Sequence, residues 1–174
     1  MDTAWLDNHI RVVPDFPTPG VSFKDITPLL GDPDAFRFCI DSLADRFTSL
    51  GVDKVIGIEA RGFIMAAPVA YRLGASFVPV RKAGKLPWAV AREEYSLEYG
   101  SDRLEIHRDA IHPNERVIVI DDVLATGGAA EAVCKLIEGL TGVVAGIGVV
   151  IELESLGGRA RLGSRHVESL LKYP

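Results

Sequence analysis

Cysteine is nearly missing from this chain: two in 174 residues. Cys39 and Cys134 each fall on the apolar face of a predicted helix, so both read as reduced core thiols and no disulfide framework is available. The four histidines, His9, His107, His112 and His166, are scattered and read as structural or surface groups. Without a His/Cys cluster there is no zinc-site pattern. Basic residues are also in deficit. A net charge of −5 leaves no electrostatic footprint for nucleic acid. No apolar run exceeds Val143–Ile151, far short of the ~20 residues that span a bilayer, and the N-terminus carries acids with no cleavable apolar segment. The expectation is a cytoplasmic protein with neither a membrane nor a nucleic-acid partner. Repeats, linkers and low-complexity stretches are missing too, so residues 1–174 read as a single domain.

What is present is organised around residues 116–140, RVIVIDDVLATGGAAEAVCKLIEGL. The β-branched run Val117–Ile120 has the length and character of a buried strand. Asp121 and Asp122 follow at once. A loop of small residues, Ala125-Thr126-Gly127-Gly128, then leads to apolar positions Ala129, Val133, Leu136, Ile137 and Leu140, spaced for one face of a helix. Each part has a use toward a phosphorylated sugar. Glycines let backbone close around a phosphate, and the first N–H groups of the helix are unpaired donors with a favourable dipole. Thr126 adds a hydroxyl. The two carboxylates can accept from sugar hydroxyls or sit near a hydrated Mg²⁺. Taken alone, the same residues also fit a solvated acidic turn with a helix cap. No Gly-Lys-Ser/Thr follows, so this is not a Walker A loop and an NTPase reading is poor.

Two further strand ends carry charge. Val52–Ile58 reads as a strand leading into Glu59-Ala60-Arg61, and Ile64–Leu73 as a helix whose start Pro68 delays or kinks. Ser76–Val80 reads as a strand ending in Arg81-Lys82-Ala83-Gly84-Lys85. An Arg and a cation-rich glycine loop at the carboxyl ends of parallel strands are plausible anion ligands, although either is compatible with a solvated face. Asp32-Pro33 opens the first long helix, with Phe36, Cys39, Ile40, Leu43 and Phe47 on one stripe and Gly51 as its stop. Residues 88–102 are polar and irregular, with a partial ribbon around Tyr95, Leu97 and Tyr99. Leu104–His107 pairs with that ribbon. Val143–Leu153 is a buried strand, Gly157-Gly158-Arg159 a turn, and His166–Leu171 a last strand. Gly146-Ile147-Gly148 lies mid-strand and is no dinucleotide fingerprint.

The apolar run, acidic pair and A-T-G-G together resemble the phosphoribosyl-pyrophosphate (PRPP) motif of the type I phosphoribosyltransferases. DFPTPGVSFKDITPLL resembles the N-terminal hood of the adenine phosphoribosyltransferase family, RKAGKLP its pyrophosphate-contacting loop, and YSLEYG its catalytic loop. The likeness runs from Pro14 to Tyr173. It implies an α/β, mostly parallel central sheet flanked by helices, a hood over residues 1–34 and a flexible flap over 86–103. It implies transfer of phosphoribose from PRPP to adenine, giving AMP and pyrophosphate, with Mg²⁺ held mainly by substrate and water near Asp121 and Asp122, in a homodimer.

By the same resemblance, Ser22, Phe23, Lys24 and Val123 line the adenine pocket, with Phe23 stacked on the base. Ala125, Thr126, Gly127, Gly128 and Ala129 hold the 5′-phosphate, although family members commonly carry Thr at the position of Ala129. Glu59, Ala60, Arg61, Arg81, Lys82 and Lys85 surround pyrophosphate, with Glu59-Ala60 a cis bond. Arg61 and Glu98 are the catalytic residues, beside Tyr99 of the flap. On residue type alone Glu93 and Glu94 compete with Glu98. The PRPP motif is shared with other purine and orotate phosphoribosyltransferases and with non-catalytic PRPP-binding regulators. The hood and flap motifs argue against the first, and the lack of a DNA-binding segment or basic face against the second.

Overall fold

The computed structural model describes residues 3–96 and 101–174. Arg11–Val13 (β1) and Phe23–Asp25 (β2) form an antiparallel hairpin. Short helix α1 (Thr27–Gly31) and helix α2 (Pro33–Asp45) follow. The capping expectation at Asp32 holds: its carboxylate accepts from the N–H groups of Asp34 at 3.0 Å and Ala35 at 2.8 Å, with Pro33 in the first turn. α2 stops earlier than its apolar stripe suggests. Phe47 N–H turns back to the Ala44 carbonyl, and a 3₁₀ turn, Thr48–Leu50, carries the chain to Gly51. Fully buried Phe47 thus belongs to the turn.

The main sheet is built from β3 (Lys54–Ile58), β4 (Ser76–Lys82), β5 (Val90–Ser96), β6 (Ser101–His107), β7 (Arg116–Leu124), β8 (Val143–Leu153) and β9 (Val167–Tyr173). Its order is β5-β6-β4-β3-β7-β8-β9. The block β4-β3-β7-β8-β9 is parallel, and the β5–β6 ribbon joins antiparallel at the β4 edge. The sheet is therefore mixed. Helix α3 (Arg61–Leu73) follows β3, and α4 (Gly128–Gly139) follows β7. Alternation along β7 divides the core: Ile118 and Ile120 join the cluster with α2 and α3, while Val117 and Val119 join the one with α4. Helices therefore cover both faces.

Several boundaries moved for physical reasons. α3 begins at Arg61 and keeps Pro68 inside it. Its buried face, Met65, Ala66, Val69 and Ala70, outweighs one missing N–H. β7 runs on through the acidic pair to Leu124, because its ladder with β8 continues as far as Glu152. The ribbon strand β5 is regular from Val90 rather than irregular. The supposed turn at 157–159 opens a short helix, α5 (Gly158–Arg161), and β9 extends to Tyr173. The mid-strand glycines of β8 make room for a ring: a Cβ on Gly146 or Gly148 would lie 2.7 or 2.8 Å from Phe47.

Candidate active site

The carboxyl ends of β3, β4, β7 and β8 open on one side of the sheet, and the β1–β2 hairpin brings Phe23 over them. Between lies a cavity of about 560 Å³. Ser22, Phe23, Lys24, Glu59, Ala60, Arg61, Asp121, Asp122, Val123, Ala125 and Ala129 all line it. A smaller adjoining cavity of about 190 Å³ takes in Thr126, Gly127 and Gly128. Glu59–Arg61 and Asp121–Asp122, about sixty positions apart in the sequence, thus meet because β3 and β7 are neighbours in the sheet. Arg81, Lys82 and Lys85 do not line either cavity; they reach it through Glu59. Glu98 and Tyr99 lie outside the described residues.

At the end of β3 the Glu59–Ala60 peptide is cis, and α3 starts at the next residue with no side-chain cap. Its first N–H groups are therefore free to face an anion. Glu59 is the hub of the basic loop. Its carboxylate accepts from Lys85 Nζ at 2.6 Å and from the Lys82 N–H at 3.0 Å, with Arg81 Nε 3.3 Å away. Burial alone would raise its pKa, but these three donors overcome burial and hold the carboxyl down to about 2.

Across the cavity, Asp122 is buried and its Oδ2 lies 2.5 Å from Arg61 Nε. That same oxygen has no partner in good hydrogen-bonding geometry. The Arg61 guanidinium also sits over the Phe23 ring, 5.2 Å from its centroid. Asp121 accepts the Asp122 N–H at 2.9 Å. Burial, then the charge of Asp122, pushes the Asp121 carboxyl well above its ordinary range. At the end of β7, Gly127 adopts φ +78° as the residue before α4, again with no side-chain cap. Two helix starts without side-chain caps therefore border the adjoining cavities, Arg61 at the larger and Gly128 at the smaller.

Val21, Ile58, Tyr95 and Leu153 also line the main cavity and were not anticipated. Tyr95, from the ribbon, touches both cavities. Its hydroxyl donates to Asp102 at 3.3 Å, and burial together with Asp102 raises it to about 12. The alternation around Tyr95 was visible in the sequence, but its inward direction depends on β5 folding across α4.

A phosphoribosyl transferase domain model matches residues 32–163. An adenine phosphoribosyltransferase of Roseiflexus castenholzii is 55% identical over 171 residues, 98% of this chain and 99% of that protein. One from Chloroflexus aurantiacus is 57% identical over 168 residues, covering 97% of each. The crystal structure of the adenine phosphoribosyltransferase of Thermoanaerobacter pseudethanolicus aligns with a TM-score of 0.96 at 48% identity, over 98% of this chain and 99% of that one. The Saccharomyces cerevisiae enzyme, solved with an imino-altritol bisphosphate and adenine, aligns at 0.92 with 39% identity over 97% and 98% of the two chains. The architecture is the type I phosphoribosyltransferase fold. Within that class, the chain belongs to the adenine phosphoribosyltransferase family.

Proposed function

We propose that this chain joins adenine to C1′ of PRPP, forming AMP and releasing pyrophosphate. The observation that carries the reading is the pair of adjoining cavities at which an aromatic hood, an acidic pair, the Glu59 carboxylate with its cationic partners and two uncapped helix starts come together. Phe23 stacks on the base, and backbone groups from Ser22 to Lys24, with Val123, frame its edge. Ala125–Ala129 holds the 5′-phosphate. Asp121 and Asp122 accept from the ribose hydroxyls. Arg61, released from Asp122 and Phe23, joins Lys85, Arg81 and Lys82 around pyrophosphate and stabilises the departing charge while C1′ passes through an oxocarbenium-like state. Glu98 moves a proton at the base, beside Tyr99; this assignment rests on the YSLEYG likeness alone.

Magnesium fits this donor set. The buried Asp122 Oδ2 lacks a well-aligned partner, and no group of three or more potential ligand side chains occurs among the described residues. Two hard carboxylates suit a Mg²⁺ that keeps most of its water and substrate ligands. When bound, the ion would neutralise charge developing on pyrophosphate. A homodimer and a cytoplasmic location complete the reading. Exposed Ile64 and Tyr71, seven residues apart on α3, and half-exposed Phe77 support an apolar contact face, and sedimentation velocity tests it.

Base choice is the sharpest test. Adenine presents a donor at N6 and an acceptor at N1; hypoxanthine and guanine reverse both. Assays of pyrophosphate release with PRPP should therefore give hypoxanthine and guanine kcat/KM values at least ~10²-fold below adenine, since a site that hydrogen-bonds one edge rejects the other strongly. Comparable turnover of hypoxanthine, or robust turnover of orotate, would overturn the assignment. Pyrophosphate release from no base at all would favour a PRPP-binding regulator.

A further inference from the structure

The phosphate loop is supported from behind by a part of the chain that lines neither cavity. A Cβ built on Gly158 would lie 2.3 Å from the Ala125 carbonyl oxygen, and one on Gly127 would lie 2.8 Å from the Gly158 carbonyl oxygen. Backbone therefore rests on backbone, with no side chain between. What fixes Gly158 is the residue after it. Arg159 donates from Nε to Glu152 Oε1 at 2.7 Å, from Nη2 to Glu152 Oε2 at 2.5 Å, and from Nη1 to the Val167 carbonyl at 2.8 Å. Ser169 Oγ donates to Glu152 Oε2 at 2.7 Å.

Glu152 is only 3% exposed. A buried carboxylate is costly unless fully paired, and here the Glu152 carboxylate accepts its hydrogen bonds from Arg159 and Ser169. The guanidinium spans β8 and β9 and anchors the start of α5 to both. Arg161 adds a 2.8 Å contact to Glu131 of α4, and Leu162 is fully buried behind it. The support thus reaches both the loop and the helix it leads into.

We propose that Arg159, held by Glu152 and Ser169, is a positioning residue for the 5′-phosphate loop: it sets where Gly158 stands, and Gly158 sets the backbone of Ala125–Gly127. The proposal rests on the reading of that loop as the phosphate site. Arg46–Glu168, a 2.5 Å ion pair also involving β9, makes no contact with the loop and serves as a control.

Ribose 5-phosphate and pyrophosphate are titrated separately, by calorimetry, into the intact protein and its Arg159→Met, Arg159→Lys, Ser169→Ala, Arg46→Met and Thr126→Val variants, with Tm recorded for each. Arg159→Met should weaken ribose 5-phosphate about tenfold, within the ~10²-fold that a 1 Å misplacement can cost, and leave pyrophosphate affinity unchanged. Ser169→Ala should weaken it two- to threefold, roughly the loss of one modest hydrogen bond, and Arg159→Lys should recover part of the Arg159→Met deficit. Arg46→Met should lower Tm without touching either affinity. A folded Arg159→Met that binds ribose 5-phosphate like the parent, or loses both ligands equally, overturns the proposal. Should Arg159→Met fail to fold, Ser169→Ala decides on the same criterion. Loss in Thr126→Val alone refutes only the positioning role; unchanged binding in both Thr126→Val and Arg159→Met refutes the phosphate assignment with it.

Discussion

The two ends of the site proposed to hold anions are made from different materials. The β7–α4 loop offers backbone: small residues, a left-handed Gly127, an uncapped helix start and one hydroxyl at Thr126. The β3–β4 end offers side-chain charge, gathered by Glu59 from Lys85 and Arg81, with the Lys82 backbone N–H as a further donor. Backbone donors carry no net charge and need no counterion, but they work only if the chain keeps its path. Side-chain cations tolerate displacement, yet gathered together they repel one another, and the Glu59 carboxylate between them offsets that repulsion. Geometry governs the first end and electrostatics the second.

Changes that disturb path should therefore be worst at the β7 end. Gly127→Val, which places a branched side chain at φ +78° with its Cβ 2.8 Å from the Gly158 carbonyl oxygen, should raise KM for PRPP by ~10²-fold. KM for adenine should move far less. An equal rise in both KM values would mean that the loop has no preferred ligand. Between the two ends, Asp122→Asn would remove the charge-assisted hydrogen bond proposed to a ribose hydroxyl, worth about 1.5–3 kcal/mol, so kcat/KM for PRPP should fall tenfold or more in a folded protein. A folded variant with unchanged kcat/KM would mean that the buried acidic pair does not hold the ribose.

At the β3–β4 end the sharper readout is pH. Glu59 is held near 2 against an ordinary 4.5. A lowered carboxyl pKa means that the unfolded chain binds the proton first, so Glu59 stabilises the fold fully above 4.5 and progressively less as pH falls toward 2. Thermal unfolding across that window should show a steeper decline in the parent than in Glu59→Gln. Parallel curves would show that Glu59 is not the hub. The smallest effect is expected at Ala129, which faces both cavities. Ala129→Thr adds one hydroxyl at the phosphate end and should lower KM for PRPP by about twofold, a hydrogen bond at the modest end of the range; an increase would mean that the loop is already full.

The same contrast explains how legible the molecule was. Asp121 to Ala129 could be read because strand, loop and helix are contiguous, and contiguous sequence fixes its own local path. Arg61 and the Glu59–Ala60 cis peptide before it were legible through resemblance, since nothing in spacing alone specifies such a bond. The role of Glu59 as a hub was not legible, because its partners lie more than twenty positions away and meet it only through the β3–β4 ladder. Tyr95 and Leu153 escaped for the same reason. The helix start at Arg61 was missed because Pro68 suggested an interruption that packing overrode.

Sheet order has one last consequence. β4, β3 and β7 lie side by side, and neighbouring strands are ~4.8 Å apart. The basic loop after β4 therefore stands two intervals, roughly 10 Å, from the small-residue loop after β7. That separation is a ruler built into the backbone ladder, and no loop substitution can reset it. On the proposed function, a ligand would be measured by length before its chemistry is read: one anionic end would reach a single mark, and only a molecule charged at both ends, with a sugar-sized spacer, would reach both.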